Sequence, residues 1–446
     1  MKRAASPNGR PLSPPPMKRK IESTTTSKAV ASFFKPPSQK EPERLMWRIV
    51  HQSLVVGLYR DPSQPRRELT QPVRIAAFDL DDALIKPKLG GSRFVRNASS
   101  HAWWDAVVPG RLKELHNGGY LIVIFTNQGS ISLKDNAKTL QKDSLSLKNF
   151  KDQLTYFMRQ LDIPVSVYAA TGNDHYRKPR IGMWEELKDE FDLEGDGAID
   201  MDNSFYIGDA AGREKTDKRQ KDHATSDRDL AANIGIKFQT PEELFLGLET
   251  EPYAHPFEPK QFLESALSSP RGNIPFTKQN KQELVIFCGS PGAGKSSFYW
   301  KVLKGQGYER VNQDILKTRD KCIKAARQLL EGGSSVVVDN TNRDKEARAH
   351  WVQLARDLSI PIRCILFTAS ARLCEHNDAV RAHNSSMNPE SRMILPPIAF
   401  RSFAQAYVQP SLEEGFEDIT TVHFDFEGTD AERKIWSKYW VSKFST

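Results

Sequence analysis

Between residues 74 and 250 the chain alternates short, wholly apolar runs with polar or amphipathic stretches. RIAAF (74–78), YLIVIFT (120–126), VSVYAAT (165–171), SFYIGD (204–209) and GIKF (235–238) have the length and composition of strands. WEELKDEF (184–191) and PEELFLGL (241–248) are among the helix-like segments between them. Strands that are apolar throughout are covered on both faces, so the pattern predicts an α/β unit with a parallel sheet. Residues 251–276 then gather Pro, Gly and Ser and are expected to be a linker. A second alternation follows in ELVIFCG (283–289), ERVN (309–312), SSVVVDN (334–340), RCILFT (363–368) and TVHFDF (421–426). No internal repeat relates the two series. The expectation is two Rossmann-like parallel-sheet domains, at 44–250 and 277–446.

The first 43 residues break the pattern. They are rich in Pro, Ser, Thr and Lys and poor in aliphatics, which predicts disorder. Residues 1–44 hold ten Lys/Arg against three Glu, so most of the net charge of +8 sits in this tail. The remaining chain is almost neutral, and any contact with nucleic acid must come from local patches. Lys2-Arg3 and MKRK (17–20) read as a nuclear-import signal, or as a solubilising basic tail. Val30, Phe33 and Phe34 form the tail's only large apolar cluster and meet on one face if the segment becomes helical. Their spacing resembles the peptide box that docks on the DNA sliding clamp, although Ser27 stands where that box has Gln. No apolar run approaches the roughly 18 residues that span a bilayer. The four cysteines lack CxxC pairing, which points to free thiols in a reducing compartment.

Gly289-Ser290-Pro291-Gly292-Ala293-Gly294-Lys295-Ser296 matches GxxxxGK[ST] at every fixed position, with Ser297 next. It follows a strong strand and opens a helix-forming stretch, which is the context a phosphate-binding loop requires. There the backbone N–H groups wrap nucleotide phosphates, Lys295 reaches the β and γ phosphates and Ser296 ligates Mg²⁺. This half therefore binds a nucleoside triphosphate. Asp314, in RVNQD, ends the next short strand, where a small kinase places the group that deprotonates an attacking hydroxyl. Asp339 is either a second magnesium-side carboxylate or a turn residue. Arg372 and Arg381 lie on one helix-like stretch, as arginines that close over phosphates or as ordinary surface.

In the first half, Asp79-Leu80-Asp81 follows RIAAF, Thr126 closes LIVIFT, Lys178 sits in YRKP, and Asp209 closes SFYIGD. Nucleophile, hydroxyl, lysine and second carboxylate come in the order of the haloacid-dehalogenase superfamily. In an open parallel sheet all four meet at the carboxyl edge. Asp79 is the expected nucleophile and Asp81 the acid that protonates the leaving alcohol and then activates water. Asp79, Asp209 and the Asp81 carbonyl are the expected Mg²⁺ ligands. Thr126 and Lys178 are expected to hold the phosphoryl oxygens.

With these motifs in place, the chain resembles the eukaryotic bifunctional polynucleotide kinase 3′-phosphatase family. The resemblance rests on FDLDDALI, VIFTNQGS, YRKPRIGMW, FYIGDAAGR, TPEELFL, CGSPGAGKSS, RVNQD, DNTN and ILFTA. It implies a 3′-phosphatase joined to an ATP-dependent 5′-hydroxyl kinase acting at DNA strand breaks, with Asp79, Asp81, Asp209 and Asp314 in the roles given above. Animal members carry a forkhead-associated domain in front; here a basic tail precedes the catalytic core, so recruitment through that module is not expected. Ala83 departs from the superfamily, whose members carry Thr or Val there. If the missing group braces the nucleophile turn the phosphatase is slowed; if it only fills space the activity stands. The expectation is a monomeric, nuclear enzyme active at both ends of a break. A kinase with an impaired phosphatase, a DNA-end-binding scaffold, and RNA as substrate remain alternatives.

Overall fold

The computed structural model describes residues 44–61, 69, 72–88, 100–133, 143–217, 219–268 and 276–444. The basic tail, with MKRK, Val30, Phe33 and Phe34, lies outside them.

The first half is built on a seven-stranded sheet. Its strands are β1 (Leu45–Val50), β2 (Leu54–Tyr59), β3 (Ile75–Phe78), β6 (Leu121–Asn127), β7 (Val165–Ala170), β8 (Phe205–Ile207) and β9 (Lys237–Gln239), in the order β1-β2-β7-β6-β3-β8-β9. Five strands run parallel as expected. The β1–β2 hairpin amends that expectation, because β2 joins β7 antiparallel and closes the edge. A separate small hairpin, β4 (Ile85–Pro87) with β5 (His101–Trp103), follows the nucleophile turn. The side-chain alternation of β6 explains its wholly apolar sequence. Ile122 and Ile124 face the layer containing Leu154 and Phe157 of helix Leu145–Leu161, whereas Val123 and Phe125 face Trp184, Leu187 and Leu230.

The second half has a five-stranded, wholly parallel sheet, ordered β11-β12-β10-β13-β14. These are β10 (Leu284–Cys288), β11 (Tyr308–Val311), β12 (Ser335–Val338), β13 (Ile362–Phe367) and β14 (Ile419–Val422). β14 starts two residues before the TVHFDF run that predicted it. Phe424 and Phe426 leave the sheet to pack on Trp436, so their apolar character reflects that aromatic cluster. Residues 251–268 of the segment expected as a linker are built into the fold. Phe257 is buried against Leu373, Trp436 and Trp440, and residues Pro259–Ser268 form a helix. All four cysteines are free and buried, and burial pushes every thiol up, Cys288 and Cys374 to about 11.

Candidate active sites

Both sites lie at the carboxyl edge of their sheets, where the chain must leave a strand and expose polar groups. In the first, the Asp79 N–H donates to the Ile207 carbonyl of β8 (2.7 Å), fixing the nucleophile turn to the neighbouring strand. Lys178 Nζ reaches Asp79 Oδ1 and Asp227 Oδ1, each at 2.7 Å, and lies 3.0 Å from the Tyr206 hydroxyl. That hydroxyl donates to the Phe125 carbonyl at 3.0 Å. Asp79, Asp209 and Asp227 present carboxylate oxygens within 4.8 Å of one another. Burial opposes the charge on Lys178, but Asp227 and Asp79 outweigh it and hold the ammonium up to about 12. Burial raises Asp79 to about 7 even against that lysine, and raises Asp209 as well, with the neighbouring carboxylates adding to both. The two directions agree: three carboxylates around one ammonium carry surplus negative charge that a single lysine cannot balance. A compact set of hard oxygen donors with surplus charge fits Mg²⁺.

The loop after β6 supplies the opposite lip. Gln128 Nε2 donates to Asp81 Oδ2 (2.8 Å) and to Thr126 Oγ1 (2.9 Å), tying the expected acid to the expected phosphate ligand. Asn127 accepts from the Lys178 N–H (2.9 Å) and donates to the Lys178 carbonyl (3.3 Å). Gly208 has a steric reason to be glycine, because a Cβ there would collide with the Asp227 carboxylate.

In the second site, Gly292 sits at φ +78° and a Cβ would strike the Cys374 carbonyl. The phosphate loop thus packs directly on helix Ala371–His383. Lys295, buried, donates to the Gly289 and Ser290 carbonyls (2.9 and 2.6 Å). Ser296 Oγ donates to Asp339 Oδ2 (2.8 Å) and accepts from Arg310 and Arg392, each at 3.1 Å. Arg310 pairs with Asp339 (2.5 Å) and Glu390 (2.7 Å). Arg392 pairs with Glu390 (2.6 Å) and lies 3.3 Å from the exposed carboxylate of Asp314. Burial raises Glu390, but hydrogen bonds from Trp300, Arg310 and Arg392 outweigh it and hold the carboxyl at about 2. Asn312 sets the helix that carries Asp314, accepting from the Asp314 N–H (2.8 Å) and donating to the Asp339 carbonyl (2.7 Å).

The geometry gathers Asp79, Asp81, Thr126, Lys178 and Asp209 at one edge, and Lys295, Ser296, Asp314 and Asp339 at the other. Arg372 and Arg381, expected over the nucleotide phosphates or on ordinary surface, each have a partner within the chain. Arg372 donates to the Pro256 carbonyl, and Arg381 pairs with Asp378. The arginines that meet Ser296 are Arg310 and Arg392, which the sequence reading missed, as it missed Asp227 and Gln128.

Residues 74–245 match the family model described as polynucleotide kinase 3 phosphatase, and residues 284–395 match that of an AAA domain. Over 370 residues the chain is 40% identical to the bifunctional polynucleotide phosphatase/kinase of Schizosaccharomyces pombe, covering 81% of this chain and 83% of that one. The chain belongs to the bifunctional polynucleotide phosphatase/kinase family. A putative member from Acanthamoeba polyphaga mimivirus is 33% identical over 407 residues, 85% of this chain and 91% of the viral one. The polynucleotide 3′-phosphatase ZDP of Arabidopsis thaliana is 36% identical over 210 residues, 44% of this chain and 27% of its own. In this phosphatase/kinase the Asp79–Lys178–Asp227 cluster falls inside the phosphatase match. Arg310 and Arg392 fall inside the AAA-domain match with the phosphate loop.

Proposed function

We propose that the protein removes 3′-phosphates from DNA ends and phosphorylates 5′-hydroxyl ends with ATP, using Mg²⁺ at both sites. The observation that carries this reading is Asp79 held by Lys178 while Gln128 joins Asp81 to Thr126. An Asp79 oxygen attacks the terminal phosphorus, the bond to the 3′-oxygen breaks, and Asp81 gives that oxygen a proton. Asp81, now a base, takes a proton from water, which attacks the aspartyl-phosphate and releases phosphate with Asp79 restored. Thr126 and Lys178 hold the phosphoryl oxygens. Asp79, Asp209 and Asp227 are the residues that would hold Mg²⁺, whose charge would offset the repulsion between nucleophile and phosphate.

In the kinase half Asp314 takes the proton of the 5′-hydroxyl as its oxygen attacks the γ-phosphorus and ADP leaves. Lys295 and Arg392 meet the negative charge of the transferring group. Ser296 and Asp339 are the residues that would hold the nucleotide's Mg²⁺.

The test is one gapped DNA with a 3′-phosphate and a 5′-hydroxyl, incubated with Mg²⁺ and ATP. Asp79→Asn lowers phosphate release by at least about a thousandfold and leaves 5′ phosphorylation intact. Lys295→Ala does the reverse. Loss of both activities in either variant would exclude two independent sites.

The same reading takes the enzyme as a nuclear monomer acting in strand-break repair, with the Val30-Phe33-Phe34 segment as a sliding-clamp ligand. A labelled peptide of residues 20–40 should bind purified clamp, and an absence of binding removes that partner.

A further inference from the structure

The loop that carries Lys178 is held from behind by the last part of the kinase half. Asn233, near the end of helix Ser226–Ile234, uses its side-chain amide as a three-way connector. Its Nδ2 donates to the Pro179 carbonyl (2.9 Å) and to the Tyr439 carbonyl (2.7 Å), and its Oδ1 accepts from the Tyr439 N–H (2.9 Å). The amide thus satisfies both backbone groups of Tyr439, as a neighbouring strand would, while gripping the residue after Lys178. Arg180, almost wholly buried, donates to the Trp440 carbonyl (3.4 Å), the Asp174 carbonyl (2.6 Å) and Asn173 Oδ1 (2.6 Å).

Tyr439 is itself fixed. Its hydroxyl donates to Glu258 (2.6 Å), and its ring stacks on His255 at 5.0 Å. Trp440 packs on the His383 ring and shares a core with Trp436, Phe257 and Leu373. Tyr439 is therefore anchored on the segment that joins the two halves, and Trp440 in the kinase half.

We propose that Asn233 and the segment Tyr439–Trp440 are positioning residues for Lys178, so that the docked carboxy-terminal segment steadies the lysine of the phosphatase site. The physical reason is tolerance. Lys178 Nζ is enclosed by two carboxylates and a tyrosine hydroxyl, and a displacement of about 1 Å can cost on the order of a hundredfold in rate. Three hydrogen bonds through one rigid amide leave the Pro179 carbonyl, and with it the backbone of Lys178, little freedom. The inference rests on the phosphatase reading above.

The test uses the full chain with Asn233→Leu, which removes all three hydrogen bonds, and Asn233→Asp, which keeps only the acceptor for the Tyr439 N–H. Release from a 3′-phosphorylated oligonucleotide and 5′ phosphorylation are measured on the same preparation, with amide exchange across residues 176–182. The expected result is a phosphatase kcat lowered about tenfold or more, with KM and kinase rate within about twofold of the parent and faster exchange in the lysine loop. Asn233→Asp should lie between the two. An unchanged phosphatase kcat in Asn233→Leu overturns the proposal, whatever the exchange rate. A parallel fall of both activities in both variants also overturns it, because the joint then serves only to hold the fold together. No phosphate release by the parent protein would count against the phosphatase reading instead.

Discussion

Ala83 is the residue at which expectation and geometry meet most closely. It is fully buried, and its turn is closed by backbone hydrogen bonds: Asp82 N–H to the Ile85 carbonyl (2.8 Å), and Leu84 and Ile85 N–H to the Leu80 carbonyl (3.0 Å each). Asp82 takes the left-handed conformation, at φ +58°, that lets the turn fold back. None of these bonds needs a hydroxyl at position 83. Ala83→Thr should leave phosphate release within about twofold and lower the melting temperature, since two extra heavy atoms in a filled site cost about 1–3 kcal/mol. A tenfold rise in release would show instead that the hydroxyl had been missing. The sequence made Asp79, Thr126 and Asp209 legible because each ends an apolar strand. Asp227 was not, because Asp in the first turn of a helix is ordinary there. Gln128 carries no charge to attract notice, and only its two hydrogen bonds reveal its part.

Among the elements, helix Ala371–His383 serves the phosphate loop on one side and the carboxy-terminal aromatic cluster on the other. His376 donates from Nε2 to the Trp436 carbonyl (2.9 Å), and burial drives its pKa down to about 3. An unfolded chain takes up that proton near pH 6.5, whereas the folded one stays neutral until about 3. Stability therefore falls as pH drops through that window, by at most about 1.4 kcal/mol per pH unit from this group. Thermal melts between pH 7.5 and 5 should show a steeper loss in the parent than in His376→Gln; equal slopes would remove His376 as a cause. The helix itself shows what a sequence pattern leaves out. Its apolar positions do not mark one face, because it is enclosed on several sides, and Arg372 and Arg381 turn to Pro256 and Asp378. The β1–β2 hairpin escaped the reading although Leu54–Tyr59 is as apolar as the central strands, because it precedes the strand–helix alternation that begins at residue 74 and joins the sheet antiparallel.

At the scale of the whole molecule, two α/β halves in this order were legible because each begins its chemistry with a distinctive strand-and-turn motif. Their joint was not. Asn233 and Tyr439 are 206 positions apart and are common residue types, so nothing local links them. Among the described residues no helix is long and apolar enough to cross a membrane. The buried cysteines carry one more implication. Peroxides and alkylating agents react with thiolate, and a buried thiol held well above neutral pH offers almost none. Oxidants and alkylating agents would therefore find little to attack in Cys288 or Cys374, and the packing of the kinase half around these thiols should not depend on added reductant.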